Sequence, residues 1–77
     1  MEPKPDPDKA LAASVQHALR SALGSLADNI DVTASQGKVT LWGTVPEVAK
    51  RRQAIRTATG VAGVKSVKDN MAIVSGS

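Results

Sequence analysis

The chain has 77 residues, a formal net charge of +3 and no cysteine. That length bounds it to one small domain with a thin core. The missing thiols exclude a disulfide framework and a thiolate metal site, and the mild positive charge is too small to assign an anionic partner by itself.

Residues 1–7 are charged and carry prolines at positions 3, 5 and 7. They lack the apolar stretch of a signal peptide and read as a disordered leader, with the domain over residues 8–74 and a disordered tail over 75–77. No segment approaches the ~18 apolar residues of a membrane span. Asp8 is the expected N-cap of a first helix, since its carboxylate can accept from unpaired first-turn amides. Leu11, Val15, Leu19, Leu23 and Leu26 then recur every three or four residues, with Ala18 and Ala22 widening the stripe. That spacing predicts an amphipathic helix from Asp8 to Leu26. Gly24 falls late in it, where unwinding is expected to begin.

From Asn29 to Ser35 the period changes to two, with Ile30, Val32 and Ala34 on one face and Asp31, Thr33 and Ser35 on the other. Gln36 and Gly37 suit a two-residue hairpin turn, the glycine supplying positive φ. In the next strand Val39, Leu41, Gly43 and Val45 face the core, while Thr40, Trp42 and Thr44 face away. The short loop makes the two strands antiparallel neighbours. Trp42 is the single aromatic residue of the chain, so the core must be aliphatic.

Pro46 suits the first turn of a second helix, where its missing N–H costs nothing. Thr44 or Val45 would flank that start, and Glu47 suits the positive end of the dipole. Val48, Arg51, Arg52, Ala54, Ile55 and Ala58 are assigned to the inner side, and Gly60 or Gly63 to the exit. Val64, Val67, Met71 and Ile73 supply the last strand. The Val64–Val67 spacing is not alternation and predicts a bend or bulge before Met71. The order is αββαβ, an α+β fold. Two such helices cannot cover both sides of three strands, so both are expected on one face of a mixed sheet.

In order and spacing these segments resemble the BON domain, named for bacterial osmotically induced and nodulation proteins. The matching residues are the amphipathic first helix, Ile30-Asp31-Val32, the run from Gly37 to Val45, the helix carrying Arg51, Arg52, Ala54 and Ala58, Val61 to Val67, and Asn70 to Ile73. The resemblance spans about residues 9–74. It implies a periplasmic or envelope setting and association with phospholipid membranes or with other protein domains. The single copy and the lack of an export signal depart from the family habit, as does Trp42 at a position where small polar residues are usual.

Nothing in the residues suggests an enzyme. There is no serine–histidine–acid order with its supporting motif, no thiol and no phosphate-cradling loop. No cofactor is expected. His17 is the only histidine and has no companion for a metal site. Asp28, Asn29 and Asp31 lack the spacing of a calcium loop. Gly37, Gly43 and Gly63 read as structural glycines: turn geometry at Gly37, tight helix–sheet packing at Gly43 and a helix exit at Gly63.

Two candidate surfaces remain. Lys50, Arg51, Arg52 and Arg56, with Lys65 and Lys68 after them, form a candidate headgroup-binding set, each cation contributing ~1 kcal/mol near an anionic membrane. Three of them are consecutive and fan around the helix, so an ordinary solvated face is the competing reading. Trp42, with Thr40 and Thr33, forms a candidate interaction surface on the helix-free side. There the indole either shields the sheet or meets lipid, a partner or a neighbouring domain. One tryptophan among threonines is not a base-stacking platform, so nucleic acid is not an expected partner. The expected function is a non-enzymatic envelope module binding anionic phospholipid or other envelope domains. The alternatives are a small-ligand or potassium sensor and a purely structural protein–protein module.

Overall fold

The computed structural model describes residues 7–74. The expected leader and tail therefore fall largely on residues 1–6 and 75–77, outside the described residues. The elements run α1 (Pro7–Leu23), a 3-10 helix (Gly24–Asn29), β1 (Ile30–Ser35), β2 (Lys38–Val45), α2 (Val48–Thr59) and β3 (Ser66–Ile73). This is the expected αββαβ order. The sheet order is β1-β2-β3, with β1 antiparallel and β3 parallel to the central β2.

The core forms where the helical and strand stripes meet. Val15 and Leu19 from α1, Ala54 and Ala58 from α2, and Ile30, Val39 and Leu41 from the sheet are all at most 1% exposed. Ala54 and Ala58 are the fully buried residues of α2, and their small side chains take little room in the core. Both helices thus lie on one face, and among the described residues no helix covers the other.

Several local details differ from expectation. The α-helix stops at Leu23, because Gly24 adopts φ 64° and turns the chain into the 3-10 run. Leu26 belongs to that run. Gln16 Nε2 donates to the Ala27 carbonyl at 3.1 Å, and Arg20 pairs with Asp28 at 2.7 Å, so α1 side chains fasten its own exit. Asp8 lies inside the first turn of α1, and its Oδ1 accepts from the Gln36 amide at 3.0 Å. The carboxylate fastens the helix start to the hairpin.

Gln36 and Gly37 have φ 52° and 85°, the two positive values of a type I′ turn, whose twist matches the flanking strands. Gly43 is required by the backbone at the end of the 3-10 run, not by the packing of α1 or α2. At φ 120° its added Cβ would stand 1.9 Å from the Asn29 carbonyl oxygen.

Strand pairing persists to the end of β2, where Val74 donates to the Val45 carbonyl at 2.8 Å. The chain then needs Pro46 and an extended Glu47 to turn, so α2 starts at Val48 with Glu47 as N-cap. Its inner side centres on Ala54 and Ala58, with Arg51 and Ile55 half-buried beside them. Val48 and Arg52 lie on the outer side, contrary to their expected placement. β3 has no bend. It is a regular strand of 8 residues, with Val64 in the loop before it. Its inward positions are Val67, Asp69, Met71 and Ile73, and the polar Asp69 hides the alternation from a reading of the sequence.

Candidate interaction surface

The register organises the uncovered sheet face into rows. Asp31, Trp42 and Asn70 stand side by side in one row, Thr33, Thr40 and Lys68 in the next, and Ser35, Lys38 and Ser66 in the third. Trp42 is at the centre, on the central strand, and is 45% exposed. Its Nε1 donates to Thr33 Oγ1 at 3.0 Å. The indole is therefore held toward β1, diagonally across to the row of Thr33. The bond satisfies its one polar atom and fixes the ring, leaving apolar ring surface facing solvent. The expected trio of Trp42, Thr40 and Thr33 is thus brought together.

The six expected cations are not. Arg51 turns inward, with Nε 3.2 Å from Asp69 Oδ2. Lys68 lies on the sheet face in the row beside Trp42. Lys65 sits at the hairpin end, where its stem would meet a Cβ on Gly37 at 2.8 Å. Lys50 is half-buried on α2. Only Arg52 and Arg56 share one exposed stripe, four residues apart. With Val48, Ala49 and Gln53 they line a shallow depression of about 520 Å3. Val48 is 45% exposed there.

A second depression of about 620 Å3 lies where the start of α1, the hairpin turn and the α2–β3 loop converge. Asp8, Leu11, Gln36, Gly63 and Lys65 line it. Gly63 has φ 96°, and a Cβ there would just touch Leu11. His17 is exposed on α1. Among the described residues no group of three or more His, Asp or Glu could hold a metal ion, and no helix is long and apolar enough to cross a membrane.

Two sheet-face residues were not singled out from sequence. Lys38 follows from counting back from Trp42 in steps of two, a signal that was available. Asn70 needs the parallel register of β3, which no local pattern specifies. Asp69 likewise becomes visible only when β3 is placed under α2.

The BON domain family model matches residues 7–75. Among solved structures, a similar fold occurs in CdsD, described as a structural protein of the type III secretion system of Chlamydia trachomatis. The identity is 22% and the TM-score 0.64. The match covers 84% of the present chain and 32% of that one, so the chain spans about a third of its neighbour's length. Among curated proteins no relative matches the sequence.

Proposed function

The chain belongs to the BON domain family, and from that premise we propose that it is a non-catalytic binding module of the bacterial envelope. It docks on another protein domain through the uncovered sheet face. The observation that carries this reading is Trp42, a fixed aromatic ring at the centre of a face that no helix of the described residues covers. Aromatic anchors ringed by polar residues are the usual energetic centre of protein interfaces. Asp31, Lys38 and Lys68 surround this one, and three charged groups disfavour insertion of the face into hydrocarbon. A flat, polar-rimmed surface suits a folded domain better. That this fold occurs in a structural protein of a secretion apparatus is in keeping with an assembly role.

A second reading rests on the outer stripe of α2. Arg52 and Arg56 beside exposed Val48 offer two cations and an apolar contact to an anionic phospholipid surface. Two cations give weak, salt-sensitive association. The two surfaces are on opposite sides of the molecule, so both contacts are compatible.

Photo-crosslinking separates the readings. A benzophenone side chain is placed at Thr44 on the sheet face or at Arg56 on α2, in the native host cell. Discrete protein adducts from position 44 that disappear with Trp42→Ala support docking through the sheet. Protein adducts from position 56 alone, or none from position 44, overturn it.

A further inference from the structure

Resting on that reading of the sheet face, we propose that its occupant is a second copy of this chain, docked face to face about a two-fold axis parallel to β2. The face is self-complementary under that operation. Rotation about β2 places β1 of one copy over β3 of the other, because β2 is central and β1 and β3 flank it. The row of Thr33, Thr40 and Lys68 then opposes itself in reverse, so Thr33 of one copy lies over Lys68 of its partner. The bond to Thr33 holds the indole of Trp42 on this same row. Each ring therefore meets a lysine ammonium from the other copy, the arrangement of a cation–π contact.

The neighbouring row supports the same pairing. Asp31 comes to lie over Asn70 of the other copy, one row from its Lys68. Stacked sheets lie about 10 Å apart, and the long lysine stem spans much of that diagonal toward the aspartate. Among the described residues neither Asp31 nor Lys68 has an ion pair or hydrogen bond of its side chain within the chain. Every contact occurs twice, as an isologous interface requires.

Area sets the strength. Three strands of this length present on the order of 350 Å2 per copy, from strand spacing and rise. A standard interface uses about 800 Å2 per partner. An interface this small is a transient one, so association is to be sought up to high protein concentration.

The test is sedimentation equilibrium together with amide NMR from micromolar to millimolar concentration, on the chain as it is. The expected result is self-association with shifts confined to the sheet face, including the Trp42 indole N–H and the amides of Thr40, Lys68 and Asn70. Lys68→Glu weakens association at least about tenfold, since two cation–π contacts are lost together. Adding Asp31→Lys to Lys68→Glu restores part of it by re-creating opposite charges. Both residues are exposed, so an unchanged urea midpoint shows that the fold is intact. A chain that stays monomeric throughout, or a dimer indifferent to Lys68→Glu, overturns the proposal. If the chain is monomeric while Trp42-dependent adducts from position 44 persist in cells, only the second copy is refuted. If both are missing, the docking reading fails with it.

Discussion

Arg51 Nε lies 3.2 Å from Asp69 Oδ2, and this ion pair joins the middle of α2 to the edge strand β3. The two side chains are 37% and 24% exposed, so water screens the pair only in part. The contact is ionic rather than a directed hydrogen bond, since buried Arg51 Nε has no hydrogen-bond partner among the described residues. The other Asp69 oxygen, Oδ1, accepts from the Met71 amide at 2.9 Å. The amides of Ser66 and Val74 bond toward β2, so strand alternation turns the odd-numbered amides to the open edge. Asp69 thus caps one edge amide while holding α2, a device that blunts edge-to-edge pairing.

Asp69→Ala removes both contacts and is expected to destabilise the domain by about 1–2 kcal/mol. In a domain this size, each kcal/mol moves the melting temperature by about 4–8 °C. Urea titrations of Arg51→Ala, Asp69→Ala and the double variant should give a coupling of about 0.5–1 kcal/mol that shrinks with salt. Additive single effects would mean that the pair contributes nothing.

Gly43→Ala and Gly24→Ala both place a side chain at positive φ, yet their expected effects differ. At Gly24 nothing lies within 4 Å of the new Cβ, so the cost is the backbone term of about 1 kcal/mol. At Gly43 the Asn29 carbonyl must move as well, and the loss rises to about 3 kcal/mol or more. Chemical denaturation of the two variants compares them directly. Equal losses would contradict the close approach.

Leu41 and Trp42 are adjacent in sequence and opposite in environment. Leu41 is 0% exposed, and its replacement by alanine is expected to cost about 2–5 kcal/mol. Trp42→Ala deletes a much larger side chain but should stay within about 1 kcal/mol, mostly the bond to Thr33. Thr33→Val tests that bond separately through the chemical shift of the indole N–H. A Trp42→Ala loss comparable to Leu41→Ala would assign the tryptophan to the core.

Asp8→Ala should raise the hydrogen-exchange rate of the Gln36 amide and leave the amides of β3 protected. The stability cost is about 1 kcal/mol. An unchanged Gln36 rate would show that the carboxylate does not hold the turn.

For the arginines of α2, co-sedimentation with phosphatidylglycerol vesicles distinguishes neighbours in sequence. Reversing both Arg52 and Arg56 to Glu removes roughly 2 kcal/mol or more of attraction, which is about thirtyfold in affinity. Arg51→Gln should leave vesicle binding nearly unchanged while lowering stability, because its charge is directed at Asp69. Equal loss from both changes would place Arg51 on the membrane side.

The sequence carries the element order, the hairpin turn and the inward faces of β1 and β2, because each is written in a local period. Ile30, Val32 and Ala34 alternate cleanly, as do Val39, Leu41 and Val45. The position of Trp42 on the uncovered face follows from the same alternation. What was hidden depends on partners far along the chain. Asp8 looks like a cap until the hairpin is folded against it, 28 residues away. Arg51 looks like one of a row of surface cations until β3 supplies Asp69. Lys68 joins the tryptophan's face only through the parallel register. The late start of α2 reflects strand pairing maintained through Val45, which Pro46 alone does not announce.

Tips of β-hairpins are ordinarily where a chain accepts extra residues most readily. The Gln36–Gly37 turn is closed to that use. Its amide is held by Asp8, and the Gly37 carbonyl accepts from Lys65 at 2.7 Å and from Ser66 at 3.3 Å. Three segments remote in sequence converge there, and a spliced-in peptide would part them all. A fluorescent reporter or affinity tag therefore belongs elsewhere, for instance near exposed Ala62, where the α2–β3 loop faces solvent.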